Sequence, residues 1–158
     1  MATPRSYMVS TEEARRYPVA LAIDMPPGTR RLISIPGLGS VGVFNIGGEF
    51  YAVKNVCPHQ GGPLCEGTLT GTSRPIFALD EAPQLEWVHD GEILRCPWHG
   101  WEFSVRTGAV VFDGKARVAT YGVEVVAGLR AATTFPVAVE DKVVILVVPS
   151  AARYRTAK

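Results

Sequence analysis

Arg31-Leu32-Ile33-Ser34-Ile35, Val41-Gly42-Val43-Phe44-Asn45-Ile46 and Glu49-Phe50-Tyr51-Ala52-Val53 lead, through Lys54-Asn55-Val56, into Cys57-Pro58-His59-Gln60-Gly61-Gly62. The three apolar runs are rich in β-branched and aromatic residues, which predicts strands, and Gly47-Gly48 is a two-residue hairpin turn between the second and third. The third strand therefore delivers the chain into a loop of metal-binding residue types. A second segment, Cys96-Pro97-Trp98-His99-Gly100-Trp101, repeats the design: a cysteine, a proline, a histidine two or three positions after the cysteine, then glycine. Proline at 58 and 97 holds φ near about −65°, and Gly61, Gly62 and Gly100 permit the tight turns that let backbone N–H groups approach sulfur.

Two donor types are present, Cys57 and Cys96 as thiolates and His59 and His99 as imidazoles. They suit either a tetrahedral zinc ion or a 2Fe-2S cluster with cysteines on one iron and histidines on the other. Zinc fingers usually put two cysteines in one knuckle and two histidines in another, whereas each loop here mixes the two, which favours iron and sulfur.

The two loops resemble those of the Rieske family, whose pattern is C-x-H in a first loop and C-x-x-H in a second, each followed by glycine. Pro26 to Arg31, Val43-Phe44 and Phe50 to Asn55 are similar to the strands that precede the first loop in small Rieske proteins. The resemblance implies one 2Fe-2S cluster, with Cys57 and Cys96 on the buried iron and His59 and His99 on the exposed one. It implies an all-β fold, an antiparallel β-sandwich carrying a small cluster-binding subdomain of two loops. On this reading residues 1–25 are an N-terminal extension, 26–148 the domain and 149–158 a C-terminal tail.

Other segments fit an all-β chain. Trp101 to Val105 and Ala109 to Phe112 form a hairpin candidate around Arg106-Thr107-Gly108, and Tyr121 to Val126, Phe135 to Val139 and Lys142 to Val148 read as strands. Ser10 with Glu13 is a capping-box pattern, so a short helical turn is expected over Ser10 to Arg16 before Pro18. Between His59 and Cys96 the chain is longer than small Rieske ferredoxins need, with the surplus at about 69–90. That insert carries Pro75, Pro83, Asp80, Glu81, Glu86, Trp87 and Asp90, and reads as an extended acidic surface loop or a partner-recognition hairpin.

In the respiratory and photosynthetic branch of the family a disulfide flanks the cluster; the corresponding positions here are Gly62 and Trp98. That branch also supplies serine and tyrosine hydroxyls to the cluster, where this chain has Trp101 and Phe103. Fewer hydrogen bonds to sulfur favour the oxidised state, so a low reduction potential is expected. The remaining cysteine, Cys65, lies outside the ligand pattern and reads as a small buried hydrophobe. Trp98 and Trp101 read as shields of the cluster or a flat docking face.

Three histidines, two assigned to the cluster, leave only His89, so the two-histidine, one-carboxylate iron site of a ring-hydroxylating oxygenase has no place in this chain. Nor does a glycine-rich nucleotide fingerprint follow a strand and open a helix. The expectation is a one-electron carrier without independent catalysis, whose partners are a reductase and an oxygenase or other acceptor, with electrons leaving by His59 and His99. The rivals are a non-redox module stapled by metal and a tightly bound subunit of a larger oxidoreductase. A net charge of +1 with scattered bases gives no footprint for nucleic acid. Met1 to Glu13 lacks the apolar stretch of a secretory signal, and Val143 to Val148 is too short to span a bilayer, so a cytoplasmic protein without membrane partners is expected.

Overall fold

The structure, a computed structural model, describes residues 14–79, 82–131 and 138–150. Its strands are β1 (Arg15–Leu21), β2 (Arg30–Ile35), β3 (Gly39–Ile46), β4 (Glu49–Lys54), β5 (Thr68–Ile76), β6 (Gln84–Arg95), β7 (Glu102–Ser104), β8 (Thr120–Ala131) and β9 (Ala138–Val148). Six form one antiparallel sheet in the order β1-β9-β8-β4-β3-β2, and β5-β6-β7 form a smaller one. The halves of the large sheet are joined where Ala52 and Val53 of β4 pair with Tyr121 and Thr120 of β8, and both halves contribute to one core. Among the described residues no helix is long and apolar enough to cross a membrane.

The sequence of β3 explains where the cores lie. Val41 to Ile46 are all buried, so this strand has no solvent face. Because successive side chains point to opposite faces, Val41 and Val43 enter a core with Ala52, Val144, Leu146 and Val148, between the halves of the large sheet. Phe44 and Ile46 enter a second core with Val53, Leu94, Phe103, Cys57 and Cys96. The β3-β4 hairpin is thus the wall between a sandwich and the metal-loop subdomain. Gly42 lies on the second face, where an added Cβ would stand 2.7 Å from the Cys65 sulfur.

The strands expected around 31–35, 41–46, 49–53 and 142–148 are present, and Gly47-Gly48 makes the β3-β4 turn with positive φ at both residues. Other segments differ. Arg15–Leu21, expected in the N-terminal extension, pairs with β9 as a sheet edge. An edge tolerates Pro18 because one side of the strand needs no ladder donor, and the register shifts between Pro18 and Ala20. The end of the expected helical turn, Arg15 and Arg16, is therefore strand; Ser10 and Glu13 lie outside the described residues.

The second expected hairpin is present in short form: β7 pairs with β6 on one side and on the other meets the returning arm at the Phe103–Val110 bridge, with Ser104 N–H to Ala109 carbonyl and Val111 N–H to Glu102 carbonyl bonds of 2.9 Å. A Gly108 N–H to Ser104 carbonyl bond of 2.8 Å closes the turn between its two arms. The strand expected from Tyr121 to Val126 extends to Ala131 because β9 pairs with it from Gly122 to Ala131. Of the strand expected over Phe135 to Val139, Ala138 and Val139 begin β9 and the rest lies outside the described residues.

The 69–90 segment is a β5-β6 hairpin rather than a loop, apart from its tip at 80–81, which lies outside the described residues. Thr68 to Thr70 pair with Ile93 to Arg95 inside the small sheet; Thr72 to Ile76 pair with Gln84 to Val88 in an arm beyond it. A bulge at Gly71 and His89 to Glu92 separates the two parts. Glu86 of the arm is paired with Arg74 at 2.7 Å, and Phe77, Leu79 and Leu85 are exposed, so the arm is less acidic in character than its composition implies.

Candidate metal centre

Cys57 to Gly62 follows β4, and Cys96 to Trp101 joins β6 to β7. The two loops share one backbone frame. The Cys57 N–H donates to the Gly62 carbonyl and the Gly61 N–H returns to the Cys57 carbonyl, both at 2.8 Å. In the second loop the Cys96 N–H donates to the Trp101 carbonyl at 2.8 Å and the Gly100 N–H to the Cys96 carbonyl at 3.0 Å. Gly61 and Gly100 close these turns with φ of 77° and 74°, a conformation that costs little only for glycine.

The frame puts each cysteine at the bottom. Cys57 and Cys96 are 2% and 3% exposed, which seats both in the second core. Burial pushes the Cys57 thiol up from its ordinary pKa, and contact with the Cys96 thiol adds to that. The backbone N–H groups of His59 and Gln60 act against it, since they point at the Cys57 sulfur and favour negative charge there. A pair of buried thiols with inward N–H groups is poised to lose protons to a cation.

The histidines sit one position apart in the shared frame, third in the first loop and fourth in the second. Their rings meet edge to face with centroids 4.7 Å apart. His59 is half-buried, and its Nδ1 is fully buried without a hydrogen-bond partner, the state of a nitrogen whose partner is a metal. His99 is exposed. Trp101 stacks on His59 at 4.4 Å and 12°, and Phe112 braces the indole edge to face at 4.9 Å.

Thiol meets thiol and imidazole meets imidazole. Among the described residues no three His, Cys, Asp or Glu side chains converge on one metal ion. The donors therefore come as two pairs, which suits two irons bridged by sulfide better than a single tetrahedral zinc.

Surrounding contacts hold the loops in place. Asn55 leads the chain out of β4 and accepts the Cys65 N–H at 2.7 Å. Arg106 bridges Glu49 of β4 and Glu92 of β6 at 2.8 and 3.0 Å, tying the supports of both loops together. Gly62 and Trp98 also meet, and a Cβ on Gly62 would stand 2.9 Å from the Trp98 ring. Indole on glycine thus occupies the place where the related branch has a disulfide. Phe103 is buried and carries no hydroxyl.

Cys65 lies apart from the four donors. It is fully buried, donates to the Val53 carbonyl at 3.4 Å, and burial pushes its thiol up to about 12, so it is a neutral core residue. His89 sits at the β6 bulge with φ 55°, 3.4 Å from Glu92, and lines one cavity with Gly100 and Trp101 of the second loop. Trp101, read from the sequence as a shield of the cluster or part of a docking face, stacks on the His59 ring; which ring it would meet had no signal in the sequence.

The family model of the Rieske [2Fe-2S] domain matches residues 15–122. Ferredoxin CarAc of Metapseudomonas resinovorans is 34% identical over 90 residues, 57% of this chain and 65% of that protein. Apoptosis-inducing factor 3 of Homo sapiens is 31% identical over 108 residues, 68% of this chain but 14% of that protein. The chain spans less than two thirds of the length of either relative. Among solved structures, the ferredoxin of carbazole 1,9a-dioxygenase from Nocardioides aromaticivorans IC177 superposes with a TM-score of 0.52 at 25% identity, over 85% of this chain and 98% of that one.

Proposed function

The chain belongs to the Rieske [2Fe-2S] domain family, and from that membership we propose that it is a one-electron transfer component feeding an oxygenase or related redox enzyme. Its cofactor is one Rieske-type 2Fe-2S cluster. Cys57 and Cys96 hold the inner iron and His59 and His99 the outer one. The observation that carries this assignment is the depth ordering of the shared frame, with the thiols in contact at the bottom and the imidazoles 4.7 Å apart above them. When bound, the cluster supplies one reversible electron.

The chain's own residues set the conditions for that transfer. The second core keeps water from the thiolates, and the His59 and Gln60 N–H groups stabilise charge on the Cys57 sulfur. Phe103 offers no hydrogen bond and Trp101 covers a histidine face, so few donors favour the reduced state. This supports a potential at the low end of the Rieske range of about −150 to +300 mV. The likeness to ferredoxins, one of them that of a dioxygenase, supports an oxygenase as acceptor and a separate reductase as donor, with a cytoplasmic location.

Purified protein is expected to be coloured, to hold two irons per chain and to give a Rieske-type electron paramagnetic resonance signal on reduction. Colourless protein with one zinc per chain would overturn the reading. A second reading, a tightly held part of a larger oxidoreductase, draws on the likeness to apoptosis-inducing factor 3, where the matched region is 14% of the protein. Co-purification with a stoichiometric partner would favour it over a diffusing carrier.

A further inference from the structure

We propose that Trp98 is a positioning residue which, seated on Gly62, locks the second metal loop to the first, and that position 62 is glycine in order to seat it. This rests on the cluster assignment above and adds to it what keeps the two loops in register.

Gly61 and Gly62 are neighbours with different reasons to be glycine. Gly61 has a φ of 77° and open space where a Cβ would stand, so its backbone alone calls for glycine. Gly62 has no positive φ, and its backbone would accept other residues. A Cβ there, however, would stand 2.9 Å from two atoms of the Trp98 ring and 3.2 Å from a third, closer than non-bonded carbons pack. What the position lacks is room, and the indole has taken it.

The seat is linked to both pairs of donors. Gly62 accepts the Cys57 N–H on its carbonyl at 2.8 Å, so displacing Gly62 pulls on the turn that carries the first thiol. Trp98 precedes His99 in the chain and stands edge-on to its ring at 6.4 Å. Lifting the indole from Gly62 therefore shifts one loop against the other, and with it the meeting of the His59 and His99 rings at 4.7 Å. Trp101 reaches the first loop through His59 itself, whereas the Trp98 seat joins the loops through no donor side chain. It also contains no bond that a thiol reductant can break.

The fold holds a matched control. In the β5-β6 arm Trp87 lies on Gly71 in the same manner, 2.7 Å from an added Cβ, and is 54% exposed against 57% for Trp98. That contact joins two strands of the arm and not the two metal loops.

Iron release from the cluster-loaded protein to ferrozine, with the resonance positions of the reduced cluster, tests the proposal. Trp98→Ala is expected to release iron about tenfold faster and to shift the resonance, as loss of a support for metal ligands does. Trp87→Ala should leave both at their wild-type values. Gly62→Ala should release iron at least as fast as Trp98→Ala, because the methyl lifts the indole from its seat. In the Trp98→Ala background, Gly62→Ala should add nothing, so the double variant stays near tenfold; independent effects would multiply to roughly a hundredfold or more. In the Trp98→Phe background, where the ring is smaller, the effect of Gly62→Ala should be intermediate. That pair decides the matter if Trp98→Ala does not load its cluster, and an effect as large as in the wild type counts against the seat. Equal acceleration by Gly62→Ala with and without the indole, or wild-type iron release from Trp98→Ala, would overturn the proposal. A wild-type protein without a Rieske signal would instead overturn the cluster assignment.

Discussion

In the first loop the histidine is third in the frame and lies beneath an indole; in the second it is fourth and stands in solvent. Yet the backbones are nearly interchangeable, with the same pair of N–H to carbonyl bonds and a glycine at φ 77° or 74° in the same place. The comparison separates two tasks. The frame sets the depth of the cysteines, which is equal in the two loops, and it does so through local bonds. What lies above the histidines is set by neighbours from elsewhere in the fold, and there the loops part company.

If the frames are equivalent, removing the donor at the bottom of either should have the same and largest effect. Cys57→Ala and Cys96→Ala are each expected to abolish the visible absorption and the Rieske resonance signal, since either leaves the inner iron one thiolate short. A variant of either that keeps an unchanged spectrum would remove that cysteine from the ligand set.

A finer comparison uses the closing glycines. An added Cβ meets nothing within 4 Å at Gly61 or Gly100, so the cost of alanine at either is backbone strain alone. Gly61→Ala and Gly100→Ala should each lower stability by about 1 kcal/mol, and by similar amounts, read as matched shifts in denaturant midpoint. Markedly unequal losses would show that the frames differ in rigidity.

Cys65 gives the smallest effect and a control for the pair. Cys65→Ala is expected to leave the cluster spectrum intact. Its thiol is held up to about 12 by burial, so the folded state keeps the proton while the unfolded chain releases it above about 9. The unfolded state then binds fewer protons, and stability from this group is full below pH 9 and declines as pH rises toward 12. Denaturant titrations at pH 8 and 10 should show a loss of about 1 kcal/mol that Cys65→Ala removes. An equal loss in the variant would assign the alkaline instability to another group.

Much of the site was legible because it is local. The cysteines and histidines proposed as ligands lie within two six-residue segments, and β3 and β4 read clearly from their apolar runs. β1 was hidden by Pro18 and by a capping pattern, both compatible with the edge of a sheet once β9 is beside it. β5 and β6 were hidden by the bulge at Gly71 and His89 to Glu92, which interrupts their alternation, and by arm residues with no core to face. The hairpin around Arg106 to Gly108 was legible because its turn closes locally, with the Gly108 N–H on the Ser104 carbonyl, whereas the pairing of β7 with β6 joins segments that only the fold brings together.

The sequence by itself determined the two paired Cys/His loops and the all-β character, because cysteine, histidine, proline and glycine act over a few bonds. Only the tertiary structure decided that Gly62 meets Trp98, that Cys65 fills the space left by Gly42, and that Trp101 stacks on a face of His59 while His99 is exposed. Each is a contact between segments remote in the chain, and such contacts follow from how sheets pack, which local spacing does not encode.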